Sequence, residues 1–466
     1  MMVRWSMVLS LAFWVWVLAG VLLVTTVPLS ADAPRPGGAS EPPAAATRVL
    51  HTDPEGLRRA VRQLRPGDHL QLAPGEYPEP LVLRGISGTA ERPIVITGPD
   101  SGDPAILRGR SGSNTIRLIN TAHLVIRHLT LEGGGHNIAG VVVEHDSEYA
   151  HDITLEHLTI RGYDRSQGNS GITTRAPAWN WTIRHNDVRD VGTGMYLGRP
   201  DGTGPFVAGL IEHNFFARTL GYNVQIKHQR SRTPRAGMPT EPHATIIRHN
   251  VFSKAERASS GHRARPNLLV GHFPPEGPGQ HDWYWIYGNL FYQNPHQRLF
   301  QGEGRLALYN NLFFNDAGSA LIVQPHNHIP KDVLIVHNTV VAQGFGIRLI
   351  PGDRRYEQII AGNAVFADPA IDAARTAHTE INHEAGFERA SAYLAQPHAA
   401  LAELDLFPLE GVLGYKGLPE FQSPVPPGLD RDYNGRDRAS PRYGAYAGDR
   451  ESNPGRREGI GPEALD

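Results

Sequence analysis

The chain has 466 residues, with 45 Lys plus Arg against 47 Asp plus Glu and a formal net charge of -2, which excludes a general nucleic-acid binder. It has no cysteine, which excludes disulfides, thiolate catalysis and Cys-ligated metal sites. Fifty Gly and 37 Pro beside 40% hydrophobic residues suit a turn-rich, all-β chain, and an extended solenoid escapes the surface-to-volume rule that splits compact cores of this length.

Residues 1–33 read as an export segment. Arg4 precedes an apolar run from about Met7 to Val27, and Ser30-Ala31-Asp32-Ala33 has the small-residue pattern of a cleavage site. The run is long for a signal peptide and near the length that spans a bilayer, so it fits a cleaved signal and a retained anchor equally. In both cases the remainder faces the outside of the membrane, secreted, periplasmic or anchored, and the membrane is met only through this segment. Residues 34–46, rich in Ala, Pro and Gly, form a linker. Thr52-Asp53-Pro54-Glu55 has the spacing of a capping box, and Leu57, Val61 and Leu64 make one apolar stripe, so a short helix over Pro54–Leu64 is expected to plug the first coil.

From Gly67 the pattern turns to strands: Asp68–Leu72, Leu81–Leu83, Pro93–Thr97 and Ala105–Leu107. The order Pro66-Gly67-Asp68, Ala73-Pro74-Gly75-Glu76-Tyr77, then Gly88-Thr89-Ala90-Glu91-Arg92-Pro93-Ile94 resembles the opening of the β-helical polysaccharide lyases that include alginate lyases and chondroitinase B. The resemblance covers about 60 residues well and implies a right-handed parallel β-helix of the pectate-lyase-like superfamily, whose members host several activities.

The stretch from Gly171 to Ile350 repeats one phrase. It reads Arg184-His185-Asn186-Asp187-Val188, Glu212-His213-Asn214-Phe215-Phe216, Arg248-His249-Asn250-Val251-Phe252, Tyr287-Gly288-Asn289-Leu290-Phe291, Tyr309-Asn310-Asn311-Leu312-Phe313 and Val336-His337-Asn338-Thr339-Val340. The asparagines recur after 28, 36, 39, 22 and 27 residues, a spacing at which one supersecondary unit stacks on the next. Each unit is too short for a strand, crossover helix and strand, so a parallel β-helix with several short strands per coil is expected over 47–365. The asparagine is expected at a turn in left-handed conformation, its amide bonded to the asparagine one coil away. His185, His213, His249 and His337 would then stack as a row bonding turn carbonyls rather than as a metal ladder. Past Phe366 the coil pattern fails. Asp430-Arg431-Asp432-Tyr433-Asn434-Gly435, Arg436 and Gly444-Ala445-Tyr446 resemble a tail that often ends exported β-helix proteins, so 366–448 reads as an irregular C-terminal cap and 449–466 as a disordered tail.

Strand alternation sorts side chains. In Asn223-Val224-Gln225-Ile226-Lys227-His228, Val224 and Ile226 point inward, so Asn223, Gln225 and Lys227 project outward. The equivalent strands place Glu144, Arg175, Tyr196, Gln301, Glu303 and Gln324 on the same face, making a groove suited to a polymeric acidic sugar. Lys227 is one of only four lysines, with Lys254, Lys331 and Lys416, in an Arg-dominated chain. An amine flanked by arginines can act as a base, and Arg230, Arg232 and Arg235 follow it, able to grip carboxylates in bidentate fashion. Trp179, Trp181, Trp283, Trp285 and Tyr284 suit sugar stacking and core packing alike.

In the lyases that the opening resembles, a lysine at the end of such a strand abstracts the proton. This implies β-elimination on a uronate polymer by a monomer, with Lys227 as base, Arg175, Arg230 and Arg232 on carboxylates, and Arg263, Arg265 or His272 protonating the leaving oxygen. C5 epimerisation and a non-catalytic polysaccharide-binding scaffold are the alternatives. The chain departs from that family at two places. Leu220, Gly221 and Tyr222 stand where its calcium-binding acids belong, so a Ca2+ cofactor is possible but unmatched. Asn267-Leu268-Leu269-Val270-Gly271-His272 stands where its catalytic arginine belongs. Arg232-Thr233-Pro234-Arg235 is similar to the arginine motif of pectate lyases but has Gly237 for its second arginine. Gln324-Pro325-His326-Asn327-His328 is loosely similar to an epimerase Asp-Pro-His-Asp site without its acids.

Overall fold

The computed structural model describes residues 47–448 apart from 351–352, 376, 380, 416 and 440–441. The export segment, linker and tail expected at 1–33, 34–46 and 449–466, and Lys416, lie outside the described residues. Among the described residues no helix is long and apolar enough to cross a membrane.

The chain visits three sheets in rotation, and each strand pairs in parallel with its equivalents one coil back and one coil on. The first sheet runs from Val49–Thr52 to Gln358–Ala361, the second from Gly75–Tyr77 to His383–Ala385, the third from Leu81–Arg84 to Ile371–Ala373, with 14, 12 and 11 strands. This is a parallel β-helix. Its ladders pass the expected end at 365, because Ala364–Phe366 still pairs with His383–Ala385.

Inward residues of all three sheets make one continuous core, including a file of Phe216, Phe252, Phe291 and Phe313 whose ring centroids lie 5.4, 4.9 and 4.5 Å apart. Each phenylalanine stands two residues after a repeated asparagine, so period-two alternation brings every copy to the same interior position.

At the first-to-second-sheet turn the asparagines form an unbroken ladder. Asn186, Asn214, Asn250, Asn289, Asn311, Asn338 and Asn363 each pass an Nδ2 hydrogen bond to the Oδ1 of the next at 2.9–3.0 Å, ending at Asn382. Each Oδ1 from Asn214 to Asn382 also accepts the backbone N–H of the preceding asparagine, and each Nδ2 reaches a strand carbonyl, as Asn250 does to Ile211 O at 2.9 Å. The left-handed residue is not the asparagine, as expected from sequence, but the one before it: His185, His213, His249, Gly288, Asn310, His337 and Gly362 all have φ between 53° and 68°. The asparagine is needed for its amide, which satisfies a buried turn from both sides; the preceding residue absorbs the bend.

Those preceding histidines stack. His128, His157, His185, His213 and His249 form a file with centroids 4.9–5.1 Å apart. His337 is not in it. Gly288 and Asn310 interrupt the row, and His337 instead meets Tyr415 Oη at 3.1 Å. Beside the file, register aligns Arg127, Glu156, Arg184, Glu212 and Arg248, so charges alternate up the sheet edge, with Glu156–Arg184 at 2.7 Å and Glu212–Arg248 at 2.6 Å.

The N-terminal helix is shorter than expected, Leu57–Arg62, and its capping box does not form. Thr52 Oγ1 donates to Asp53 O, and Asp53 Oδ1 accepts Gly56 N–H at 2.8 Å, which spends the cap on a turn ahead of the helix. Leu57 and Val61 still bury against the first coil. The C-terminal segment packs along the flank of the coils: Tyr309 Oη donates to Pro427 O at 2.7 Å, Arg438 Nη2 to Asn310 Oδ1 at 2.7 Å, and Ala445 N to Thr339 Oγ1 at 2.9 Å.

Two outcomes follow. Asn250→Ala leaves the Asn214 amide without its acceptor and deletes the bonds of its own, so it costs about 2–3 kcal/mol, read as a lowered denaturant midpoint. His128 and His185 are held below the ordinary imidazole value, first by burial and then by the neighbouring His157. A depressed pKa means the unfolded chain binds more protons, so stability is full above about pH 6.5 and declines as pH falls below it. The melting temperature at pH 5 is therefore lower than at pH 7.5, and His185→Asn, which keeps the left-handed turn, reduces that difference.

Candidate active site

The third sheet carries the outward face on which the sequence places a groove. Its outward residues fall into two neighbouring columns rather than one. Tyr196, Gln225, Leu269 and Gln301 follow one another in register. Two residues further along each strand, Glu144, Arg175, Gly198, Lys227, Gly271, Glu303 and Gln324 succeed one another, the N–H of Lys227 donating to Leu197 O and that of Gly271 to Ile226 O. Arg175 and Lys227 are thus two coils apart, ~10 Å between Cα atoms, as are Lys227 and Glu303. Asn223 does not project outward; it is fully buried at the turn, with Nδ2 on Thr219 Oγ1 and Ser253 O.

Lys227 is half-buried, and among the described residues its amine makes no hydrogen bond or ion pair. Burial lowers its pKa below the ordinary lysine value against the pull of Glu303. The neighbouring positions in its column are both glycine. A Cβ at Gly198, whose φ is +92°, would stand 3.3 Å from Lys227 Cβ, and one at Gly271 would stand 2.3 Å from His228 N. Neither position therefore carries a side chain beside Lys227, and at Gly271 the close approach of the neighbouring backbone admits none. Arg175 also makes no side-chain hydrogen bond or ion pair among the described residues.

Histidines gather at this end of the strands. His228 stacks on His272 at 5.4 Å, and His272 meets His328 at 5.5 Å. His272 is nearly buried, with Nδ1 held 2.6 Å from Phe273 O, so Nε2 is the nitrogen left for other partners. Glu303 is also buried and fully engaged. It accepts the backbone N–H of His326, Asn327 and His328 and the Asn327 amide, and these hydrogen bonds outweigh burial and keep it below the usual carboxylate range. Its role is to anchor the 325–331 loop rather than to meet a ligand. Gln324 is half-buried beside that loop.

A cavity of about 490 Å³ opens on the other side of Arg175, lined by Gln167, Arg175, Tyr196, Arg199 and Tyr222 among others. Burial, with the neighbouring Tyr222, pushes the Tyr196 phenol up to about 12. Arg263 and Arg265 do not line the cavity but contact two residues that do. Gln167 Nε2 donates to Arg263 O at 2.6 Å, and the Arg265 guanidinium lies 6.0 Å over the Tyr222 ring while donating to His262 O and Ala264 O. Five residues separate Tyr222 from Lys227, ~16 Å along the strand. Arg263 and Arg265 thus lie with Gln167 and Tyr222, whereas His272 stacks on His228, the residue after Lys227.

Arg232 is corrected as well. It is buried, with Nη1 on Asp282 Oδ2 at 2.6 Å and Nε on Pro239 O at 2.9 Å, so it ties two loops together and is not free to hold a substrate. Arg230 is exposed. Gln225 is nearly buried, and Gln301 accepts from Arg298 Nη1 at 3.2 Å. Trp179, Trp181, Trp283 and Tyr284 are buried, and only Trp285 of that group is half-exposed. Among the described residues, the face offers no acid cluster for calcium. Leu220, Gly221 and Tyr222 occupy the expected ligand positions, and the oxygens of the nearby Glu303 are taken, so no step is routed through that ion.

Sequence reasoning overlooked Gln167, Tyr222, His228 and Lys254. Lys254 is fully buried and has no carboxylate partner among the described residues. Its Nζ donates to Gly221 O and to Arg265 O at 3.0 Å, and burial pulls its pKa down to about 7. It pins together the two segments that carry Tyr222 and Arg265. The scarcity of lysine was the only signal for it.

Three ladders of short parallel strands and an asparagine-lined turn decide the architecture. The fold is a parallel β-helix. Neither a protein-family model nor a curated protein matches the sequence. Among solved structures, the β-helix is similar to alginate lyase from Paenibacillus sp. str. FPU-7 at 17% identity, covering 73% of this chain and 100% of that one with a TM-score of 0.40. It is similar to a GH136 lacto-N-biosidase from Eubacterium ramulus at 12%, covering 73% and 68% with 0.47, and to pectate lyase Pel9A at 11%, covering 87% and 97% with 0.41. With TM-scores below 0.5 these likenesses carry no argument, and activity has to be read from the cleft itself.

The buried pair and the exposed arginine separate in stability. Arg232→Ala strands Asp282 without its partner and lowers stability by about 3–5 kcal/mol in chemical denaturation. Arg230→Ala leaves the midpoint unchanged.

Proposed function

We propose that the chain is an exported enzyme that cleaves an anionic, uronate-containing polysaccharide by β-elimination in the third-sheet cleft. The observation that carries the reading is Lys227, whose amine has no partner among the described residues, set between two glycine positions and two coils from an Arg175 that is likewise unpaired among them. The export segment read at 1–33 would place it outside the cytoplasm.

The chemistry follows from charge. A uronate carboxylate seated on Arg175 loses much of its repulsion toward a second negative charge, which makes the adjacent C5 proton easier to remove. Neutral Lys227 takes that proton. The electron pair of the C5–H bond becomes the C4=C5 double bond, the C4–O4 bond breaks, and the departing oxygen takes the Nε2 proton of His272 in its imidazolium form, which leaves a neutral ring with Nδ1–H on Phe273 O. Tyr196 and the cavity beyond Arg175 would hold the next sugar along the groove.

The test is ultraviolet absorbance from unsaturated uronate when the purified full chain meets alginate, pectate and glycosaminoglycans. One of these polymers is expected to give rising absorbance. Lys227→Met is expected to lower the rate at least about 100-fold while retaining polymer binding. A flat trace on every polymer, or an undiminished rate in Lys227→Met, overturns elimination. Exchange of the C5 proton without absorbance would assign epimerisation instead, and binding without either would assign a scaffold.

A further inference from the structure

On the first sheet, away from the cleft, strands Thr121–Arg127 and Ala150–Glu156 share a matched bend. Register pairs His151 with Ala122 and Ile153 with Leu124, and at the position between them His123 and Asp152 both turn left-handed, with φ of 53° and 52°. Period-two alternation would send consecutive side chains to opposite faces, but the bend interrupts it. His151 and Asp152 consequently reach each other, Nδ1 to Oδ2 at 2.6 Å. His123 stands edge-on to His151 from one coil back, centroids 5.4 Å apart at 86°. One ligand atom from each of His123, His151 and Asp152 lies within 4.8 Å of the other two.

We propose that His123, His151 and Asp152 form a three-ligand site for a zinc-type divalent cation. Two imidazoles and a carboxylate are a donor set that zinc takes with one position left open. Tetrahedral bonds of this kind set donor atoms ~3.4 Å apart, so the site closes by side-chain rotation of roughly 1 Å, and the His151–Asp152 hydrogen bond is the contact the cation replaces. The surroundings hold the donors in place. The His151 ring lies flat on Trp179 at 4.5 Å and 11°, and Asn180, the next left-handed residue in the column, donates to Asp152 Oδ1 at 3.3 Å. Such outer contacts orient metal ligands in the way this donor set requires. The cation would staple two successive coils of the first sheet.

The chain carries 23 histidines, so uptake of zinc alone decides nothing. The full chain is stripped with EDTA and titrated with zinc chloride against a chromophoric chelator, beside two variants. His123→Asn keeps a residue suited to the left-handed bend, and His151→Phe keeps the ring on Trp179. Wild type is expected to bind one zinc more per chain than either variant, at least tenfold more tightly, and to melt at a higher temperature with zinc than without it. Each variant is expected to match metal-free wild type in melting temperature and to lose the zinc-dependent rise. Equal uptake by wild type and a folded variant, or no tight zinc in wild type, overturns the site.

Discussion

Coil-on-coil registration at the asparagine turn is the constraint on which the molecule depends. No single coil can bury its inward residues, so every coil relies on the one before it. A buried turn exposes backbone groups that water cannot reach. The asparagine amide meets both needs, since its Oδ1 takes a backbone N–H and a side-chain N–H from one side while its Nδ2 continues to the other. Register cannot slip by one residue without breaking every such bond along the ladder and turning the phenylalanine file outward.

Once register is fixed, chemistry is a matter of columns. At the first-sheet edge, arginine and glutamate alternate and cancel one another coil by coil, leaving a structural surface. On the third sheet the same stacking places Lys227 between two glycines and Arg175 beyond them, with the nearest acid, Glu303, already committed to a loop. The difference between a neutralised ladder and an unmatched one marks the cleft. Internal cations fall in a separate class. Arg232 with Asp282 and Lys254 with two carbonyls tie loops to coils and so shape the walls without facing the groove.

Much of this was legible in the residues. The asparagine repeat predicts the solenoid, the phase of each coil and the outward direction of Lys227, because a period of two leaves little freedom once inward positions are known. What was not legible came from loops and turns. The asparagine's own conformation was misjudged because its amide chemistry and the left-handed bend fall on adjacent residues, and His185-Asn186 carries one task each. Asn223 was placed outside by alternation although the turn had already begun there. Arg263 and Arg265 sit in an excursion whose path no periodicity describes, and Arg232 could not be told from Arg230 without seeing Asp282, 50 residues away. The signature at Thr52 was read as a helix capping box, whereas Asp53 closes a turn ahead of the helix.

The claim that matters most is that the third-sheet column receives an acidic sugar. Crystals of Lys227→Ala grown with a uronate oligosaccharide test it directly. The account predicts sugar lying across strands Ser170–Thr174, Thr193–Leu197 and Val224–Ile226, with a carboxylate on Arg175 and C5 facing the space vacated by the amine. An oligosaccharide seated on another sheet, or one crossing this face with its carboxylates turned away from Arg175, would contradict it.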